Sequence, residues 1–383
     1  MTTLELEPIR ARLAGLGREH TPADVAAALR AEGTAVTDAV LLETLEVLRR
    51  DSVGAGPLEP LLRLPGVTDI VVNGPDEVYV DAGAGLLRTE LAFADEAELR
   101  RLAQRLAASV GRRLDDASPF VDARLPDGTR VHAVLANLAA PGTCLSLRIP
   151  AARTFSLAEC VASGSVSEPA ADLLTSIVES RSAFLISGGT GSGKTTLLAA
   201  LLGLVPPTER IVIAEDSREL APRHPHVVRL EGRPANSEGV GAVTLTDLVR
   251  QCLRMRPDRL VVGEVRGAEV CDLLAALNTG HEGGCGTVHA NTASQVPARL
   301  EALAALGGLG RHALHAQLAA AVEVVVHLVR DRSGQRRVGE IATLAQDPVS
   351  GLVVAEPALS FDREGRPCRG PSAARLERLL GRS

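Results

Sequence analysis

The spacing of apolar positions changes along the chain, and each change marks a different kind of element. In the first fifty residues the spacing is helical. Thr21-Pro22-Ala23-Asp24 reads as a helix start with Pro22 at the first helical position and Gly33 past the end. Thr37 caps a further helix whose Val40, Leu41, Leu45 and Leu48 share one face. From residue 69 the period falls to two. DIVVNGPDEVYVD (69–81) predicts a hairpin turning at Asn73-Gly74-Pro75-Asp76, VDARLPDGTRVHAVL (121–135) a second around Pro126-Asp127-Gly128, and TCLSLRI (143–149) a closing strand. Between the hairpins a helix is expected over 96–110, capped by Asp95 with Glu98, striped by Leu99, Leu102, Leu106 and Val110, and stopped by Gly111. From about 169 onward helices alternate with the apolar runs FLIS, RIVIAED (210–216), RLVVGE (259–264) and CGTVHA (285–290), and VEVVVHLV (322–329) and RRVGEIATL (336–344) add strands.

That succession predicts an α/β chain in four parts: a helical segment over 1–52, an α+β domain over 53–152, a linker over 153–168, and a domain over 169–383 built on a parallel sheet. GAGPLEPLL (54–62) marks the first boundary by its Gly and Pro, and Pro150, Ser156, Gly164, Ser165 and Ser167 mark the linker. The helical start reads equally as an interaction element or as a cap on the next domain. In such a sheet, ligands bind at the carboxyl ends of the strands.

Composition narrows the class. At 383 residues with 45% hydrophobic and 23% charged residues, the chain is an ordinary globular one with room for two or three domains. Aromatics make up 2%, so the core must be Leu, Val and Ala. A net charge of −6 without a basic tract argues against direct nucleic-acid binding. Cys144, Cys160, Cys252, Cys271, Cys285 and Cys368 form no C-x-x-C pair and read as small buried hydrophobes in a reducing compartment. The N-terminus has no secretory signal and no run approaches the ~20 apolar residues of a membrane span, so the expected location is cytoplasmic.

The chemistry is concentrated after FLIS. Gly188-Gly189-Thr190-Gly191-Ser192-Gly193-Lys194-Thr195, followed by Thr196, fits G-x-x-x-x-G-K-[ST]. Glycines let several backbone N–H groups converge on phosphate oxygens, and the helix that follows presents its positive end. Lys194 would reach the β- and γ-phosphates of ATP, and the Thr195 hydroxyl would bind Mg²⁺. Lys and Arg total 41, and Lys194 is the single lysine among them. A planar guanidinium fits a closed phosphate loop poorly, which explains why this ammonium stands where arginine is otherwise used.

Acids stand where the later strands end. Glu215 and Asp216 close RIVIAED, and Glu264 closes RLVVGE, an apolar strand ending in a carboxylate suited to holding Mg²⁺ through water or to polarising the attacking water. His281 and His289 flank the fourth run in TGHEGGCGTVHANT and suit sensing or positioning of phosphate. Position also singles out Arg124, Arg130, Arg148, Arg229 and Arg233, the last two in VVRLEGRPANSEG.

Taken with the P-loop, RIVIAEDSREL, LRMRPDRLVVGEVRGAE and TGHEGGCGTVHANT resemble the Asp box, Walker B and His box of the type II/type IV secretion ATPase superfamily. GPLEPLL, VTDIVVNGPDEVYV, GRRLDDASPFVDARLPDGTRVHAV and LSLRI are similar to its tight-adherence (Flp-type) pilus assembly branch. The resemblance spans about residues 50–345, four motifs in order. It implies a RecA-like P-loop ATPase domain in a ring, a hexamer, at the inner face of the membrane beside a polytopic platform protein. It further implies Glu215 as the group activating water, Glu264 at Mg²⁺, and the five arginines as phosphate contacts within or across subunits. The tetracysteine zinc element of some relatives is missing, as is the signature of retraction motors. A conjugation or type IV secretion ATPase is the competing reading, and a small-molecule kinase a third, for which no acceptor lid is visible.

Overall fold

The computed structural model describes residues 55–83, 85–150, 154–233, 235, 239–331 and 334–381, and within the first fifty residues 8–9, 12–13, 21–33, 36–37, 40–41 and 44. Two compact units result, Met1–Pro150 and Ala151–Ser383.

In the first unit, the helix α1 (Pro22–Ala31) starts on a capping box in which Thr21 and Asp24 satisfy each other's backbone N–H groups. Val25, Ala28 and Leu29 on this helix pack with Ile9 and Leu13. Thr37 accepts from the backbone N–H of Val40 at 3.3 Å, as a cap should. Leu45 and Leu48 lie outside the described residues.

The rest of this unit is a six-stranded antiparallel sheet with one helix on it. Its strands are β1 (Asp69–Asn73), β2 (Val78–Asp81), β3 (Leu86–Arg88), β4 (Phe120–Arg124), β5 (Arg130–Val134) and β6 (Cys144–Arg148), in the order β3-β2-β1-β6-β5-β4. Alternate residues Ile70, Val72, Val131, Ala133, Leu145 and Leu147 point inward. They meet Leu99, Leu102, Ala103 and Leu106 of helix α3 (Glu96–Ala108), which ends two residues short of Val110. Within GAGPLEPLL, read as a boundary, Gly56–Leu58 instead form a 3₁₀ turn and Glu59–Leu62 helix α2, with Leu58 fully buried in this core; Gly54 lies outside the described residues.

The second unit is a nine-stranded sheet covered on both faces. Its strands are β7 (Phe184–Gly188), β8 (Ile211–Glu215), β9 (Val227–Glu231), β10 (Arg259–Val265), β11 (Cys285–His289), β12 (Val324–Arg330), β13 (Arg336–Gln346), β14 (Val353–Phe361) and β15 (Pro367–Arg369). The order is β15-β14-β13-β12-β7-β11-β10-β8-β9; β12 through β9 run parallel, and the β13–β15 extension is antiparallel. The chain is therefore α/β, with a mixed sheet in this unit. Phe184, Ile186, Ile211 and Ile213 feed one core, while Leu185, Val212, Val262 and Val288 feed the other. A strand buried on both faces reads as a continuous apolar run, as FLIS does.

Residues 154–168, expected to be a linker, carry structure instead. Helix α4 (Leu157–Ala162) starts on a Ser156–Glu159 capping box, and Ser167 is the N-cap of α5 (Glu168–Glu179). Leu157, Cys160 and Val166 belong to the core of the second unit. The serines mark helix starts, where the same residue type is favoured as in loops. All six cysteines are free, but only Cys160, Cys252 and Cys285 are buried; Cys144 and Cys271 are half-buried and Cys368 is exposed.

Candidate functional site

Strand β7 delivers the chain to the glycine-rich loop, and helix α6 (Lys194–Leu202) takes it away. Gly188 turns the corner at φ 155°, where a Cβ would lie 2.6 Å from Ser192 Oγ and 2.7 Å from the Leu328 carbonyl oxygen. Lys194 is 9% exposed, and its ammonium donates to the carbonyls of Gly188 and Gly189, both at 3.0 Å. Burial lowers its pKa and the Glu264 charge pulls the other way. Thr195 is half-buried and Thr196 exposed, both in the first turn of α6.

Glu215 ends β8 with its side chain turned inward, 3% exposed. One carboxylate oxygen accepts from the N–H groups of Glu219 at 3.0 Å and Leu220 at 2.9 Å, while Oε2 is buried and has no partner among the described residues. Burial pushes its pKa up, against the two N–H groups and the Arg229 charge. A carboxyl in that state binds a proton more readily than an exposed one, which is what a water-activating base requires.

Glu264 sits one strand away on β10, half-buried and paired with the Arg266 guanidinium. Its strand shifts register against β11 between Val262 and Val265, so the carboxylate stands at an irregularity. Glu264 also acts electrostatically on Lys194. Among the described residues no cluster of three or more His, Cys, Asp or Glu could hold a metal ion. A P-loop Mg²⁺ would not need one, since its protein ligands are few and the phosphates supply the rest. The Thr195 hydroxyl in the first turn of α6 and the Glu264 carboxylate near the carboxyl end of β10, both half-buried, fit that pattern.

The arginines separate into two groups. Arg229 on β9 pairs with Ile213, two residues before Glu215, and acts on the Glu215 carboxylate; its Nε is buried and has no partner among the described residues. Arg233 is exposed and donates to the Gly241 carbonyl at 2.9 Å. It is tied to the same strand end through Gly232, whose N–H donates to the Glu215 carbonyl at 2.8 Å. In the first unit Arg124, Arg130 and Arg148 are direct partners across β4, β5 and β6, so three guanidinium side chains form one row. Asp69 closes the row and accepts from Arg148 at 3.3 Å.

The two histidines part company. His289 ends β11 in register with Gly188, beside the loop. His281 precedes β11, at the opposite end of a parallel strand, with Nδ1 3.2 Å from the Ala276 carbonyl. The pair expected to sense or position phosphate is thus divided by the strand itself, about 13 Å at 3.3 Å per residue.

Two contributors escaped the sequence reading. Gly263 precedes Glu264, and a Cβ there would lie 2.5 Å from Glu215 Cγ, so its missing side chain is the space Glu215 occupies. His327, 5% exposed on β12, has Nδ1 2.9 Å from Ser187 Oγ and a hydrogen bond to the backbone of Asn291. It ties the strand entering the loop to the segment leaving His289. A glycine in an apolar strand just before a carboxylate was a usable signal; a histidine within VVVHLV was not.

The family profile described as type II/IV secretion system protein matches residues 51–363. The chain belongs to that family. It is 61% identical over 332 residues to a Mycobacterium tuberculosis protein named "Putative conjugal transfer protein", covering 85% of this chain and 94% of that one. It is 35% identical over 313 residues to the type IV secretion system protein PtlH of Bordetella pertussis, covering 74% and 92%. Among solved structures it is similar to the ATPase DotB of Yersinia pseudotuberculosis, with a TM-score of 0.52 at 17% identity over 74% of this chain and 76% of that one, a likeness of fold alone. Among the described residues no helix is long and apolar enough to cross a membrane.

Proposed function

We propose that this family member is an ATP-hydrolysing motor, with ATP and Mg²⁺ bound at the loop of Gly188 to Thr196. One observation carries the reading: in the parallel part of one sheet the loop, Glu215 and Glu264 all stand at carboxyl strand ends, with Lys194 the sole lysine of the chain. Lys194 would neutralise the γ-phosphate, Thr195 and Glu264 would hold Mg²⁺, and Glu215 would take the proton of the attacking water. The Arg229 and Arg233 side chains would reach the phosphates from the Asp-box side. The row of Arg124, Arg130 and Arg148 would do so from the first unit, within one subunit or from its neighbour in a hexameric ring. His289 would sense the γ-phosphate.

The work powered is assembly of a tight-adherence (Flp-type) pilus or protein secretion, carried out in the cytoplasm against a polytopic inner-membrane platform. The N-terminal motifs favour that branch. Conjugation or type IV secretion is the second reading, favoured by the names of the Mycobacterium and Bordetella relatives. Neither requires contact with DNA, which the net charge of −6 disfavours. Phosphate release measured with ATP alone, with DNA and with membranes tests the assignment. Stimulation by membranes and none by DNA is expected, and Lys194→Ala should abolish turnover. Unchanged turnover in that variant overturns the motor.

A further inference from the structure

The β12–β13 hairpin stands beside the phosphate loop, and its arginines have no role in the reading above. Leu328 pairs with Gly188, and two residues on, Arg330 faces Arg336 as its direct partner across the hairpin. A Cβ on Gly191 would lie 3.2 Å from Arg330 Nη1, and a Cβ on Gly193 would lie 3.6 Å from Arg336 Cδ. Both side chains are exposed, and among the described residues neither makes a hydrogen bond or ion pair. The carboxylate of the intervening Asp331 accepts from the Gln335 backbone N–H at 3.0 Å. Arg337 is held by the Phe361 carbonyl, to which it donates at 2.7 Å.

Like charges directly opposite in a ladder repel one another. Here two uncompensated guanidinium groups stand together, with the Lys194 ammonium in the same loop. An anion lying along the loop would relieve that repulsion, and the planar forks suit paired contacts to phosphate oxygens better than an ammonium would. We propose that Arg330 and Arg336 bind the phosphate chain of the nucleotide held by the loop of their own subunit. The proposal rests on the nucleotide reading given above.

The test is calorimetric titration of the full chain with ADP, AMP and inorganic phosphate. The variants are Arg330→Ala, Arg336→Ala, the double variant, Arg330→Gln and Arg330→Lys. Arg363→Ala, an exposed arginine in the β14–β15 turn, serves as control, and Lys194→Ala as reference. Each lost arginine should weaken ADP about ten- to hundredfold, the worth of charge-assisted hydrogen bonds. Arg330→Lys should recover only part, AMP should lose less than ADP, and Arg363→Ala should bind as wild type. Arg330→Gln keeps a polar side chain of similar reach, so a loss of ADP binding there, with an unchanged melting temperature in the absence of nucleotide, separates lost contact from lost fold. Unchanged ADP affinity in the double variant, with binding lost in Lys194→Ala, overturns the proposal. So does reduced turnover with unchanged ADP affinity. Wild-type ADP binding by Lys194→Ala would instead overturn the nucleotide site itself.

Discussion

Replacing Gly263 by alanine tests the site through a residue that carries no chemistry. The added Cβ would lie 2.5 Å from Cγ, 3.0 Å from Oε1 and 3.2 Å from Cδ of Glu215. Carbon atoms do not approach that closely, so one side must move. The glycine is buried in a central strand between β11 and β8, with Val262 before it and Val265 two residues on also buried, so its backbone has little freedom. Glu215 yields instead, and in moving it loses the N–H groups of Glu219 and Leu220. Overpacking of this kind costs about 1–3 kcal/mol. Losing hydrogen bonds to a buried carboxylate adds about 1.5–3 kcal/mol. A stability loss of about 2.5–6 kcal/mol is expected, and a general base displaced by about 1 Å lowers turnover on the order of a hundredfold. The loop lies on another strand, so ADP affinity should change less than about threefold, within ~0.7 kcal/mol. Phosphate release, ADP titration and thermal melting read these separately. Gly310→Ala is the control, because nothing lies within 4 Å of its added Cβ and it caps a helix in the extended region. Turnover of Gly263→Ala within about threefold of wild type would refute the placement of Glu215 as the water-activating group.

Glu215→Gln should bind Mg·ATP and hydrolyse it very slowly. Because burial raises the Glu215 pKa above its unfolded value, the folded state binds the proton more tightly, and stability falls as pH rises through the interval between the two values. Glutamine removes that penalty, so the variant should melt above wild type at neutral pH, with the gap closing as pH drops below the ordinary carboxylate range; equal melting at pH 7 would contradict the burial argument. Mixing Arg130→Ala with Lys194→Ala, each inactive alone, should restore activity if the Arg124–Arg130–Arg148 row serves a neighbour's nucleotide. No recovery at any mixing ratio would confine those arginines to their own subunit.

Much of this was legible because several physical signals agreed. The hairpins at 69–81 and 121–135 showed both period-two alternation and turn residues, and both formed. The loop had its strand, its glycines and its lysine. What stayed hidden has local causes. Strand β9 reads VVRLE and is half-buried throughout, because it lies at the sheet edge and shows no alternation. β3 is three exposed residues, Leu86–Arg88, indistinguishable from loop. The serines at 156 and 167 belong to a type shared by caps and linkers, and only the packing of Leu157 and Val166 decides between them. Spacing could not show that Arg124, Arg130 and Arg148 meet, since register across three strands depends on two separate turns. Nor could it show which end of β11 faces the loop.

The strand order also separates the two histidines. β11 lies between the loop strand β7 and the Glu264 strand β10, with the Glu215 strand β8 beyond. At about 4.8 Å per strand, Glu264 stands about 10 Å from the axis of β7, and Glu215 about 14 Å. A phosphate chain leaving the loop toward those carboxylates passes over the carboxyl end of β11. His289 is the residue there, in register with Gly188, and His281 is at the other end. On the nucleotide reading proposed above, the terminal phosphate of ATP would extend along this path and that of ADP would not. His289→Ala should therefore reduce the preference for a non-hydrolysable ATP analogue over ADP, by about fivefold or more if one charge-assisted hydrogen bond is lost. His281→Ala should leave that ratio unchanged in the same titration. The reverse result, a ratio altered by His281→Ala and untouched by His289→Ala, would mean that the phosphate chain runs elsewhere than over the end of β11.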